Sequence, residues 1–315
     1  MAQANASFDE ISASTRRYYA NGKFAQQVYS GRRFLKWLQG NGRIQTWDGG
    51  DPIVEPILHE ENTTVQSQTD FAELNYSPQG GLGAAHFTAK LYTGTAVLDW
   101  VSIWKNSGRA KVIDLWDAKV EQLKESFATR LNRDAITGDP TVVPTNLTGI
   151  KLIVDSAGTL GNIARSTNTF WQSYEEGTAG PLDAVDMRTA INTAGRALPD
   201  EKIDLILTTQ ILYEAYQQQI LPAYQVQNLN NADLGATTAY FMGIPIVWDP
   251  EVPPGEMYFL SSKHLKWRPH VDANIELSDK DLVGKQLVNG LFTYFYGALT
   301  TDGPRYMAKL TGRTA

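Results

Sequence analysis

The sequence predicts an α+β protein built from an N-terminal arm, an extended β excursion, one long helix, an α/β core and terminal strands. Three observations carry that reading. Val112, Trp116, Val120, Leu123, Phe127 and Leu131 step along the chain as one face of a helix does. Residues 43–92 hold short apolar runs broken by glycine, with no helical period. From residue 150 onward, apolar strand-like runs alternate with helical spacing.

The elements follow in order. Residues 1–42 read as an arm: Phe24, Val28, Leu35 and Leu38 are too few to close a core, and Gly22, Gly31, Gly40 and Gly42 interrupt any long helix. Such an arm must lie on something else. In 43–92 the strand runs are Ile53–Leu58, Thr63–Val65 and His86–Tyr92, parted by Gly80, Gly81 and Gly83. A two- or three-stranded excursion has one apolar face to cover and two open edges, so it should pack on a neighbouring domain or another subunit. Residues 107–136 form the long helix, with Ser107 as N-cap and Gly138-Asp139-Pro140 as its stop.

Beyond it, Ile150–Val154 reads as a short strand and Asp183 as the N-cap of a helix through Leu198. Lys202–Thr209 is the best buried strand, followed by a helix through Tyr213 and Tyr216 to Leu221-Pro222. Ile244–Trp248 and Met257–Leu260 read as a strand pair joined by the proline-rich turn 249–255, and Leu291–Leu299 and Arg305–Leu310 as the closing strands.

Composition removes whole classes of function. The 315 residues are 42% hydrophobic and 20% charged, an ordinary globular balance, and include no cysteine. Disulfide scaffolds, thiolate zinc sites, iron–sulfur clusters and cysteine nucleophiles are thereby excluded. No window approaches the ~18 apolar residues of a membrane span, and no signal-peptide pattern opens the chain. The net charge of −6 is uneven: Arg16, Arg17, Lys23, Arg32, Arg33, Lys36 and Arg43 give residues 1–43 a charge of +5, leaving −11 for the rest.

No motif carries catalysis. Gly284-Lys285 lacks the upstream glycine of a phosphate loop, and there is no Gly-x-Ser-x-Gly elbow. His59-Glu60-Glu61-Asn62-Thr63 has half of a metalloprotease motif but lacks the second histidine, and His264 and His270 stand six apart around Pro269, a spacing of no metal site. The acid pairs Glu60/Glu61, Glu175/Glu176 and Asp279/Asp281 lie in polar segments as solvated charge. No cofactor is expected. The basic arm, interleaved with Tyr18, Tyr19, Phe24, Tyr29 and Trp37, has two readings: a nucleic-acid contact, or docking between subunits onto an acidic body. The acidity of the chain as a whole favours the second.

The order of elements and several local stretches resemble the major capsid proteins of tailed bacteriophages with the Hong Kong 97-type fold. The stretches are Asn106-Ser107-Gly108; Gly161-Asn162-Ile163-Ala164-Arg165-Ser166 with Phe170-Trp171; Asp204 to Gln210 with Tyr213-Glu214; and Phe241-Met242-Gly243-Ile244-Pro245 leading to Asp249-Pro250 and Tyr258-Phe259-Leu260. The resemblance implies an N-terminal arm at 1–42, an extended loop at 43–92, a peripheral domain at 93–149 with its spine helix at about 107–136, an axial domain at 150–271, and peripheral C-terminal strands at 272–315. It implies a structural, non-enzymatic subunit that assembles into pentamers and hexamers around packaged double-stranded DNA, which it contacts non-specifically. A shell protein of the encapsulin type shares this fold and is the alternative; an α/β enzyme or sugar-binding protein is a third reading.

The implied partners are further copies of the chain, a separate scaffolding protein, a portal and a decoration protein. With the arm starting at Met1, no maturation cleavage is expected, and the implied place is the virion, assembled in the host cytoplasm. Arg16, Arg17, Arg32, Arg33, Lys36, Trp37, Lys90 and Trp104 are the expected intersubunit contacts. Some relatives cross-link a loop lysine to an asparagine of another subunit. Lys90 is the only lysine in 43–92 and Asn289 a conceivable partner, with an ordinary surface lysine as the other reading.

Overall fold

The structure is a computed structural model that describes residues 33–70, 73–105, 115–195, 202–219, 239–277, 281–282 and 288–315. Expectations for Arg16, Arg17, Arg32, Ser107 and the stretch 106–108 lie outside these residues.

The chain first forms α1 (Arg33–Gly40), where Phe34 and Leu38, one turn apart, are fully buried in the main core. This corrects the expectation for the end of the arm: the i, i+4 apolar pair gives residues 33–40 a face that folds onto the chain's own body. A ribbon follows, with β1 (Ile53–Leu58) antiparallel to β2 (Leu82–Phe87). The expected strand at 63–65 is instead a turn, because the Asn62 side chain accepts the Thr64 N–H at 2.9 Å and takes the backbone out of extension. The expected strand His86–Tyr92 divides after Phe87, and β3 (Lys90–Asp99) joins a different sheet. β3 therefore runs without interruption through residue 92, where the excursion was expected to end.

α2 (Trp100–Lys105) precedes α3 (Leu115–Thr137), which lies within the span expected of the long helix. Its 23 residues span roughly 35 Å at about 1.5 Å per residue. The helix lies against β3 at Gly94, where an added Cβ would stand 2.8 Å from Leu123 Cδ1 and 3.2 Å from Phe127 Cδ2. Gly94→Val is expected to cost about 1–3 kcal/mol by overpacking, and Gly94→Ala less because the leucine tip can move. Thermal unfolding of the two variants checks the ranking.

Ile150–Ile153 forms α4, a single helical turn, where a strand was expected. A five-residue apolar run has no period that separates strand from buried helix. The carbonyls of Leu152 and Ile153 are taken by the Arg165 guanidinium rather than by a neighbouring strand. β4 (Thr159–Leu160) and β5 (Ile163–Ala164) make a tight hairpin whose turn holds Gly161 and Asn162 at φ of 58° and 65°. Next come β6 (Tyr174–Glu176), β7 (Gly180–Pro181), α5 (Ala184–Gly195), β8 (Leu205–Thr208) and α6 (Gln210–Gln219). Asp183 accepts the Val185 N–H at 3.1 Å at the start of α5.

The remaining strands are β9 (Ala239–Phe241), β10 (Ile244–Trp248), β11 (Met257–Leu260), β12 (Leu265–Leu277), β13 (Asp281–Leu282), β14 (Val288–Thr301), β15 (Ala308–Leu310) and β16 (Arg313–Thr314). One six-stranded sheet has the order β6-β15-β11-β8-β10-β9. β8 is central and buried throughout; Ile206 faces α5 and α6, while Leu205 and Leu207 face the main core. β10 and β11 were expected to pair with each other but flank β8 on opposite sides, because the connection 249–256 passes over the end of β8 and Asp249 N–H donates to Thr208 O.

β15 corrects another expectation. It was assigned to peripheral strands, yet it sits between β6 and β11 in the six-stranded sheet. Its residues are all buried, and burial on both faces requires a central place. A second sheet has β14 along its middle, with β3 on one edge and β12 followed by β13 on the other. β12 runs through residue 271, the expected domain boundary, as one strand with irregular register.

Candidate functional site

The strand β1 alternates, with Ile53, Glu55 and Ile57 facing in and Val54, Pro56 and Leu58 facing out. A carboxylate therefore enters the interior at Glu55, which is 1% exposed. Burying that charge is costly without cations, and the second sheet supplies them. Arg268 on β12 donates to Glu55 Oε1 through Nη2 at 2.8 Å and Nε at 3.0 Å. Thr300 Oγ1 on β14 adds a bond of 2.9 Å to the same oxygen, and Lys266 Nζ reaches Oε2 at 2.8 Å. Lys266 also pairs with Asp302 at 2.8 Å, and His264 Nδ1 meets the other Asp302 oxygen at 2.6 Å. The His264 ring stacks on Tyr306 with centroids 4.3 Å apart. The result is a line of alternating charge, Arg268, Glu55, Lys266 and Asp302, ended by the His264 ring, which pins the ribbon to the β12–β14 sheet.

The titration of this line follows its geometry. Burial pushes the Asp302 carboxyl up, but hydrogen bonds from His264 and Lys266 outweigh it and hold it below the ordinary value. Burial likewise pulls Lys266 down, and its bonds to Asp302 and Glu55 outweigh that and raise it. A depressed carboxylate contributes stability above its unfolded pKa and loses it as pH falls through the folded value. Acid unfolding of the chain is therefore expected to include an Asp302 contribution below about pH 3.9. Asp302→Asn is expected to flatten that limb, measured as thermal midpoint against pH.

Two further contacts hold the ribbon. His86 N–H donates to Gly161 O at 3.0 Å, and His59 stacks on Phe170 at 4.4 Å. Gly161 approaches so closely that an added Cβ would stand 2.8 Å from Ala85 Cβ. The ribbon thus packs on the chain's own body, as one of its two expected alternatives required, while its outer face stays open.

The described members of the expected contact set, Arg33, Lys36, Trp37, Lys90 and Trp104, lie on separate elements. Arg33 starts α1, with its guanidinium 4.7 Å over the Trp248 ring and Nη1 3.4 Å from Trp248 O. The next residue, Asp249, is fully buried and accepts from Asn132 Nδ2 at 3.1 Å, from Glu251 N–H at 3.0 Å and from the Arg33 backbone. Lys36 is exposed on α1, and Trp37 is half-buried with its ring 5.9 Å from Phe34. Lys90 opens β3, and its Nζ donates to Pro144 O at 2.7 Å. In the β3–β14 ladder Lys90 stands opposite Gly297 and Asn289 opposite Leu98, about 27 Å apart along one chain at ~3.4 Å per residue. Trp104 is exposed on α2, edge-on to Trp100 at 5.9 Å.

Sequence reasoning did not reach the Glu55 line, although a signal was present: in Ile53-Val54-Glu55-Pro56-Ile57 the acid shares the parity of the two isoleucines. Among the described residues no cluster of three or more His, Asp or Glu could hold a metal ion. No described helix is long and apolar enough to cross a membrane.

No protein-family profile matches the chain, and no curated protein sequence does. Solved structures do. The capsid asymmetric unit of cyanophage A-1(L) superposes with a TM-score of 0.74 at 16% identity, covering 93% of this chain and 96% of that one. The capsid of Myoviridae phage XM1 gives 0.59 at 14% identity, covering 92% and 95%. The chain has the Hong Kong 97-type capsid fold. The SrpI encapsulin complex of Synechococcus elongatus PCC 7942 also has a chain that matches, at 0.58 and 10% identity over 95% of both chains.

Proposed function

We propose that this chain is the major capsid protein of a tailed bacteriophage, a structural subunit without enzymatic activity that forms pentamers and hexamers of an icosahedral head around double-stranded DNA. The observation that carries this is the superposition on the cyanophage capsid subunit over nearly the whole of both chains. The surface supports it: Leu58, Leu82 and Tyr76 of the ribbon and its loop are 75%, 84% and 85% exposed, and apolar side chains presented in a row call for a protein partner. Head-to-tail contacts of identical subunits close into rings, which makes self-assembly the function itself.

On this reading the partners are other copies, a separate scaffolding protein, a portal and a decoration protein, with non-specific contact to the packaged DNA. The place is the virion, assembled in the host cytoplasm. An encapsulin-type compartment is the second reading, favoured by the match of the same chain length to the SrpI shell protein. The closer superposition on the cyanophage subunit ranks it second.

Negative-stain microscopy of the expressed protein tests the proposal. Rings or closed shells are expected, and compact monomers or dimers with and without scaffold would refute it. Terminase and portal genes beside its gene point to a phage, a cargo gene with a targeting tail to an encapsulin. Because the sequence divides into a +5 segment and a −11 remainder, raising salt to ~1 M is expected to lower the melting midpoint of the assembled shell. An unchanged profile removes the charge contribution.

A further inference from the structure

β15 carries a lysine between two buried apolar residues. Ala308 and Leu310 pack with α5, so Lys309 projects from the opposite face, the one that carries the main core, beside Tyr258 of β11. Lys309 is 5% exposed. Its Nζ stands 3.1 Å from Oε1 of Glu175, directly across the ladder on β6, and 3.3 Å from Oδ2 of Asp155, in the loop after α4. Glu175, read from the sequence as solvated charge, is therefore the partner of a buried amine.

Both acids are held in place. Ala157 N–H donates to Asp155 Oδ1 at 2.9 Å, and Ser156 Oγ donates to Glu175 Oε2 at 2.8 Å. Each acid gives one oxygen to these uncharged donors and turns the other toward Lys309. The Glu55 line differs, because Arg268 and His264 bond the acids that face Lys266. An amine, a carboxyl carbon beside it, a donor on the oxygen where charge gathers, and a second carboxylate within reach of the amine's protons are the parts of an amide-forming site.

We infer that Lys309 and Asp155 condense to an amide within one chain once it has folded. Away from water, passing one proton from the ammonium to the Asp155 carboxylate removes both charges. The lone pair of Lys309 Nζ then attacks Asp155 Cγ, and the charge that gathers on Oδ1 meets the Ala157 N–H. Glu175 takes a proton from Nζ and returns it to Oδ2; the bond from Cγ to Oδ2 breaks and one water leaves. The Asp155 side chain is 28% exposed, which gives that water an exit. Arg165, the other cation beside these acids, remains to balance Glu175. In a chain without cysteine the link is a covalent staple from β15 to the loop after α4. It concerns a single copy and does not depend on how copies assemble.

Intact mass tests the inference. The full-length chain is synthesised in a short pulse, left to fold, denatured and weighed by mass spectrometry at intervals. It is expected to become lighter by one water, and digestion should yield a branched peptide joining the stretch around Lys309 to the stretch around Asp155. Lys309→Arg keeps the charge, is expected to fold by circular dichroism, and should stay at full mass. Glu175→Gln should slow the loss of water by about a hundredfold. A folded parent chain that stays at full mass overturns the inference and leaves Lys309 as an ion pair only. A loss of water without the branched peptide, as from closure of Asp155 onto its own backbone, overturns it as well, and so does a loss that persists in Lys309→Arg. An undiminished rate in Glu175→Gln overturns the part given to Glu175 as proton carrier.

Discussion

Glu55→Gln is expected to lower the unfolding midpoint of the free subunit by roughly 5–8 °C, a loss of about 3–5 kcal/mol. The size follows from what is left behind. Arg268 and Lys266 have given up hydration to face a carboxylate that is 1% exposed. The glutamine amide keeps the volume and one acceptor but removes the charge that both cations face. Lys266 retains Asp302, whereas Arg268 keeps no carboxylate within the line. The ribbon is then held by its buried apolar face, Ile57, Ala85 and Phe87, with the Gly161 and Phe170 contacts, and proteolysis within 59–81 is expected to speed up in the variant. Glu61→Gln, on the exposed loop, is the control and should leave the midpoint within about 1 °C. A Glu55→Gln midpoint equally close to that of the parent would show that the line does not hold the ribbon. Glu55→Asp, with its charge kept on a shorter stem, should fall between the two.

Arg165→Met is expected to be at least as severe. Arg165 is fully buried and donates to four carbonyls: Leu152 O at 3.0 Å, Ile153 O at 2.6 Å, Ala157 O at 2.9 Å and Trp171 O at 3.2 Å. Methionine fills much of the space and donates nothing, leaving buried acceptors at about 1–3 kcal/mol each, or about 4 kcal/mol in all after partial relaxation. Those carbonyls belong to the end of α4 and to residues on either side of the β4–β5 hairpin that carries Gly161, so the substitution also loosens the seat of the ribbon. Circular dichroism and thermal melting of the purified chain give the readout. Arg165→Lys supplies donors without the planar fork and is expected to recover only part of the loss. Full stability in Arg165→Met would mean that the loop is organised by packing around Trp171 alone.

These two residues also mark where reading the sequence succeeded and where it stopped. The helical stripe through Val120, Leu123, Phe127 and Leu131 was legible because a long amphipathic helix repeats its signal many times. The buried strand around Leu205–Thr208 was legible from its unbroken apolar run. Ile150–Val154 was not: so short a run carries no period, and the decision for a helical turn comes from Arg165, far enough along the chain to escape any local window. The motif containing Arg165 and Trp171 was visible as a resemblance, but its role as a carbonyl-binding node required coordinates. The pairing of β10 with β8 rather than β11, and the place of β15 inside the six-stranded sheet, depend on contacts between distant segments. No periodicity reports such contacts.

By itself the sequence determined the class and order of the parts: a basic segment, a two- or three-stranded excursion, a long helix and an α/β core, in a chain whose lack of cysteine leaves packing and charge to hold it together. Those are properties of local composition and period, which each stretch carries without reference to the rest. The tertiary structure decided which side of the excursion is buried, that Glu55 is its fastening, and that residues 33–40 belong to the body rather than to the arm. The reason is physical. The free energy of a buried carboxylate or of an apolar face depends on what stands opposite it, and for Glu55 that is Lys266 and Arg268, more than two hundred residues away along the chain.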